Sequence, residues 1–204
     1  MPASSLNDLY LQKLQLLLDA EEQGVQAMPQ LAQRVQNEEL RNALERHRRE
    51  SQQHVQRLQQ LAQRRAQGPE NTPANGCISM RALIEEAQTI LPTIEDPDTI
   101  DAFVIGAQQA IEHHEIASYG TARSWAQELG YDDDADLLQQ TLDEEGNADQ
   151  MLTQIAERRV NREASQGADR EVGIASGGKA DRASSGGANR MRSDVSVERG
   201  ADMR

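Results

Sequence analysis

With 204 residues and 37% hydrophobic content, the chain has material for one well-packed domain but not comfortably for two. Only 2% of its residues are aromatic, so a core has to come from Leu, Ile, Val, Ala and Met, which suits close-packed helices better than a sheet. The formal net charge of −13 repels a nucleic-acid backbone and argues against duplex binding by the folded part, and the lone Cys77 leaves neither a disulfide framework nor a Cys-based zinc site.

The chain starts "MPASSLNDLY", without a basic stretch leading into an apolar run, and no later segment reaches membrane-spanning length. A soluble, cytoplasmic protein is expected, and a single free thiol fits a reducing compartment. Helical periodicity begins at about Ser5 and runs to Val35, then resumes from Glu38 to Gln67. "GPENTPANG" at 68–76, with two Pro, two Gly and two Asn, breaks the pattern. A short helix is predicted over 79–91, ending at "LPTIEDPD". Two long ones follow over 98–129 and 132–161, separated by the stop "LGYDDD". The connection between the second and third long helices is about thirty residues, too long for an up-down turn, so the pattern predicts an all-α four-helix bundle with a crossover carrying the short helix. From about residue 162 the sequence turns polar, holds seven of the fourteen Gly, and nearly balances its charges. It reads as a disordered tail over 162–204, leaving a bundle over 1–161 with a charge of about −14.

A bundle helix buries residues spaced three and four apart. On the first helix that stripe passes through Leu14, Leu17, Glu21 and Met28, and on the second through Leu40, Leu44, His47, then Glu50 or Ser51, His54, Leu58 and Leu61. The third aligns Ile105, Glu112, Glu115, Tyr119, Ala122 and Ala126; the fourth aligns Leu138, Leu142, Glu145, Asp149, Leu152 and Ala156. One charged residue in such a stripe is ordinary. Four helices with ionisable groups at similar depth are not, because each unpaired buried ion costs several kcal/mol and neighbouring carboxylates repel one another. Cations among them remove both difficulties. Hard oxygen donors with one or two imidazoles favour Fe or Mn over Zn or Cu(I), so two such ions are the predicted cofactors. Glu50 and His54 are four residues apart, as are Glu145 and Asp149, and pairs at that spacing lie within about 40–60° of each other around a helix.

"DAEEQGVQAMPQLA", "LERHRRESQQHVQRL", "AIEHHEIASYGTARSWAQELG" and "LLQQTLDEEGNADQMLTQIA" resemble the YciE/YciF family of ferritin-like proteins, and "GCISMRALIEEAQTIL" resembles that family's crossover helix. The likeness covers about residues 6 to 161 and is most specific in "EHHEIASYGT". It implies a ferritin-like bundle, often homodimeric, found in bacterial stress-response operons and carrying a dinuclear metal site. Carried over by position, it implies Glu21, Glu50, Glu112, Glu115, Glu145 and Asp149 as ligands, with His47 and His54 equal candidates for an imidazole from the second helix. Leu18 departs from the family where relatives often carry Tyr one turn before the first Glu, so any role of that phenol is absent.

Tyr119, one turn after Glu115, can hydrogen-bond a ligand carboxylate, or can be a core aromatic whose hydroxyl reaches the helix surface. Adjacent residues point about 100° apart, so His113 and His114 cannot both face inward; His114 suits a helix interface and His113 solvent. Trp125 reads as a core or dimer-interface anchor, and Cys77 as structural. Three functions fit the pattern: oxidation of iron or consumption of peroxide at a dinuclear Fe or Mn site, iron handling without a cage, and a structural or interaction role around an empty or weakly occupied carboxylate site.

Overall fold

The computed structural model describes residues 3–65 and 75–167. Among these residues there are five α-helices, α1 (Leu6–Ala32), α2 (Glu38–Arg64), α3 (Ile78–Ile90), α4 (Pro97–Glu128) and α5 (Asp132–Ile155), and a 3-10 turn, Leu91–Thr93, before α4. Each long helix starts where the sequence supplies acceptors or negative charge for its free amides. Ser5 accepts from the Asp8 N–H at 3.1 Å, Asn37 from Leu40 at 3.0 Å, and Asp96 from Thr99 at 2.8 Å, with Pro97 at the first position of α4. Asp132, Asp133 and Asp134 fill the first turn of α5, where negative charge meets the helix dipole. Gly130, at φ +72°, takes the left-handed conformation that ends α4.

Three boundaries differ from the sequence expectation, the first being α2, which ends at Arg64 where the periodicity runs to Gln67. α1 ends three residues early because Asp101 of α4 captures the amides of Gln36 and Asn37, each at 2.9 Å, and turns the chain there; Val35 still packs into the core. At the other end α5 runs through a wide π-type turn, Ala156–Val160, and helix continues over 161–167. The expected tail start at 162 therefore falls inside a helix, while 168–204 and most of the predicted break at 68–76 lie outside the described residues.

α1 packs on α2 and α4 on α5, α1 also faces α4 and α2 faces α5, and α3 lies on α1 and α4. Arg65, after α2, meets Asp134 at the start of α5 at 2.8 Å, whereas Asp101, near the start of α4, meets the α1–α2 turn. The chain between α2 and α4 thus travels the length of the bundle. This is a ferritin-like four-helix bundle, and no strand occurs among the described residues.

Its interior has three layers. Near the α1–α2 turn, Leu31, Leu40, Leu44, Val104, Leu152 and Ile155 form one apolar cluster. Around Tyr10, Leu14, Leu17, Leu58, Leu61 and Leu138 at the other end lies a second. Each such side chain contributes about 1.5–3 kcal/mol on burial, which lets the bundle carry a polar layer between them. Among the described residues no helix is long and apolar enough to cross a membrane.

Candidate metal centre

Glu21, His47, Ser51, His54, Gln108, Glu112, Glu115 and Glu145 make up that middle layer, and all are buried. Every long helix contributes. From α2 the inward positions are 47, 51 and 54, steps of four and three that keep one side of a helix. Ligand atoms of His47, Glu112, Glu115 and Glu145 lie within 4.8 Å of one another, and so do those of Glu21, His54 and Glu145. Glu145 belongs to both groups. The two imidazoles are two helical turns apart, about 10 Å along the axis, and so approach Glu145 from different levels.

Many of these groups are close without being hydrogen-bonded. His47 Nε2 lies 3.0 Å from Glu112 Oε1 and 3.7 Å from Glu145 Oε2, and His54 Nδ1 lies 2.8 Å from Glu145 Oε1 and 3.2 Å from Glu21 Oε1. None of these contacts lines up as a hydrogen bond, so among the described residues both His47 nitrogens, His54 Nδ1, Glu21 Oε2, Glu112 Oε2 and both Glu145 oxygens have no hydrogen-bond partner. Native interiors rarely leave buried polar atoms in this state.

The electrostatics carry the same tension. Burial, then repulsion from Glu21, Glu145 and Glu112, holds the Glu115 carboxyl well above the usual carboxylate range. Burial also pushes Glu145 up to about 8, against the pull of His54. For His54, burial alone would lower the pKa, but Glu145 and Glu21 override it and raise it to about 10. His47 behaves likewise, burial opposing and Glu112 raising it well above normal. Its partner Glu112 is held below the normal range, with burial opposing and His47 prevailing. Without cations the layer needs protons.

Outside the layer, the carboxylate of Glu144 meets His54 Nε2 at 2.8 Å. Burial would raise the Glu144 pKa, but Arg57 and Gln140 hold it down to about 2. An ionised carboxylate only accepts, so Nε2 carries hydrogen and Nδ1 faces Glu21 and Glu145. A neutral ring would then set its lone pair against carboxylate oxygens at 2.8 Å, an arrangement that only a proton or a cation between them makes favourable.

A family model described as a domain of unknown function (DUF892) matches residues 5–165. The chain belongs to that family. It is 35% identical over 164 residues to protein YciF of Escherichia coli K12, taking in 80% of this chain and 98% of YciF. The crystal structure of the E. coli stress protein YciF overlays with a TM-score of 0.71 at 34% identity, covering 78% of this chain and 99% of that one. YcfI from Rhodopseudomonas palustris, proposed to be a structural protein, gives 0.70 at 35% identity, covering 74% and 94%. A Xanthomonas campestris protein at 19% identity, with a TM-score of 0.62 over 82% of this chain and 99% of its own, shares the fold. The resemblance to YciE/YciF proteins seen in the sequence is thus confirmed over most of the chain.

Six of the eight candidate residues of this DUF892 chain come together: Glu21, His47, His54, Glu112, Glu115 and Glu145. Glu50 and Asp149 do not. Ser51, 2% exposed, takes the inward position of α2, and Glu50, one residue earlier and about 100° round, has a side chain 39% exposed. Asp149 turns to the outer seam of α4 and α5, where it meets Gln109 at 3.0 Å and the exposed His113 at 3.4 Å. Of the two readings of Tyr119, the structure gives the first: its buried hydroxyl donates to Glu21 Oε1 at 2.6 Å. Leu18 packs beside the apolar cluster around Leu17, and Trp125, half-buried, joins the same cluster. His114 lies at a helix interface, 3.2 Å from Ser79 and 3.5 Å from Cys77 of the crossover. Sequence reasoning missed Glu144 and Gln108. Gln108, one turn before Glu112 and 1% exposed, donates to Glu112 Oε1 at 2.7 Å, and its helical spacing was the available signal. Glu144 was passed over because the two partners that aim it at the layer, His54 and Arg57, belong to another helix.

Proposed function

We propose that this protein holds two divalent cations, Fe or Mn, in the middle layer of the bundle and serves in a bacterial stress response. What carries the reading is the convergence of buried ring nitrogens and carboxylate oxygens into two groups that share Glu145, the ligand atoms of each within 4.8 Å of one another and most of their residues with an atom unsatisfied by hydrogen bonds. The donor set fits the group. His47, Glu112 and Glu115 would hold one ion and His54 and Glu21 the other, with Glu145 available to both. Unlike the usual arrangement, in which two helices each bring a Glu and a His one turn apart, both imidazoles come from α2. A pair of such ions would supply redox chemistry toward iron or peroxide. Around it, Tyr119 holds the Glu21 carboxylate, Gln108 holds Glu112, and Glu144 fixes the ring orientation of His54. The likeness to YciF, a stress protein, supports the cellular role, and the family resemblance supports a homodimer, which sedimentation of the full chain checks.

A titration of chelator-treated protein with Mn(II), followed by calorimetry in two buffers of different ionisation enthalpy, tests the reading. About two ions should bind per chain with release of protons, because the carboxyls and imidazolium must give theirs up. Absence of binding would refute it. The second reading, a structural protein without catalysis, is favoured by the likeness to YcfI, proposed to be a structural protein. Steady peroxide consumption by the metal-loaded protein, absent from a Glu145→Gln variant, would exclude it.

A further inference from the structure

The two halves of the polar layer meet the outside differently. Between α2 and α5 lies a cavity of about 310 Å³, walled by Leu44, Ala148 and Met151. At about 30 Å³ per water, it has room for a cation with part of its hydration shell. His47 and Glu112 reach this cavity from the layer, and Arg46, Glu50 and Asn147 are among its other lining residues. His54 and Glu21 do not line it.

His54 is instead closed off. It is 0% exposed, and its outward nitrogen is held by Glu144, which Arg57 grips through both guanidinium nitrogens and Gln140 holds at 3.0 Å. The Tyr119 hydroxyl covers Glu21. His47 has no such clamp, since its outward Nδ1 faces Glu50 at 3.9 Å, beyond hydrogen-bond distance. One imidazole is therefore locked and sealed, and the other is loosely held at the floor of a cavity.

We infer that the two cation positions exchange unequally: the one at His47 and Glu112 fills and empties through the α2–α5 cavity, and the one at His54 and Glu21 is retained behind the Glu144–Arg57 clamp. This rests on the metal-binding reading above. It assigns Glu144 as a positioning residue that acts through His54, and Ala148 as part of the passage wall.

The full chain is loaded with two equivalents of Co(II) and mixed with excess EDTA, and loss of the bound-cobalt absorption is followed in time. Two phases of equal amplitude are expected, differing at least about ten-fold in rate, the scale on which partners behind a metal ligand alter its hold. Ala148→Phe, which narrows the passage, should slow the fast phase alone. Asn147→Trp, at a solvent-exposed lining position, is the second obstruction in case the first perturbs packing. Glu144→Gln should speed the slow phase alone by about ten-fold, leaving the far-ultraviolet circular dichroism unchanged. Both ions leaving in one phase, or a fast phase indifferent to both obstructions, would overturn the inference and leave the metal-binding reading standing. A chain that takes up no Co(II) would remove that reading and the inference with it.

Discussion

Among the single residues, Glu115 shows most clearly what the layer sacrifices in stability. It is 2% exposed, and the charges around it are mainly the carboxylates of Glu21, Glu145 and Glu112. Burial and the like charges of its neighbours disfavour the ionised form of this carboxyl, so a neutral residue of like shape removes both penalties. Glu115→Gln should therefore raise the unfolding midpoint of the metal-free protein, by about 2–4 °C per kcal/mol for a chain of this size, and weaken Mn(II) binding in the same variant. Calorimetry on chelated and loaded samples checks both signs. An unchanged metal-free midpoint would mean that Glu115 is not under the strain its neighbours imply. Four of the carboxylates were legible because a Glu in an apolar stripe breaks a strong pattern. Glu50 and Asp149 lie outside the two groups because residues flanking the stripe differ from it by rotations that a sequence resolves only to within one position. The periodicity left Glu50 and Ser51 as alternatives for the inward place, which Ser51 takes.

At the level of the helices, Asp101 joins three of them. Its carboxylate accepts from the amides of Gln36 and Asn37 at 2.9 Å each, tying the start of α4 to the α1–α2 turn. Asp101→Ala strands two backbone donors, and each unsatisfied buried donor costs about 1–3 kcal/mol. Denaturant unfolding should show a loss of about 2–4 kcal/mol on that basis, softened if water reaches the amides, with metal content unchanged because the layer lies elsewhere along the bundle. Helix order, approximate ends and the crossover could be read beforehand, since Pro, Gly and capping residues act locally. The early end of α1 could not, because Asp101 lies 65 positions from Gln36 in sequence. Nor could the π-type turn in α5 be read, as "AERRV" carries no breaker.

Across the whole molecule, the protons that stand in for cations set the pH dependence. The Glu145 carboxyl is raised from 4.5 to about 8, so its burial penalty grows as pH climbs above about 4.5 and levels off beyond 8. His54 is raised from 6.5 to about 10, so it contributes stability fully below 6.5 and loses it toward 10. Both effects have the same sign: the metal-free unfolding midpoint should fall steadily from about pH 6 to about pH 9. Glu144, lowered from 4.5 to about 2, works oppositely but only in acid, where its contribution fades below 4.5. Cations displace those protons, so the loaded protein should lose the decline and be most stable near neutral or mildly alkaline pH. Calorimetric scans across that range, with and without chelator, distinguish the two curves; matching slopes would count against cations in the layer.

Two apolar clusters on either side explain how the bundle tolerates so costly a middle, and both followed from the Leu and Ile periodicity. The number of ions that the layer holds is settled most directly by plasma mass spectrometry of untagged protein beside His47→Ala, His54→Ala and the double variant. Each imidazole belongs to a different half. The predicted result is about two Fe or Mn per chain in the unaltered protein, about one in each single variant and none in the double. Metal well below one per chain, unchanged by any of the substitutions, would contradict the dinuclear layer and favour a structural bundle with protonated carboxylates.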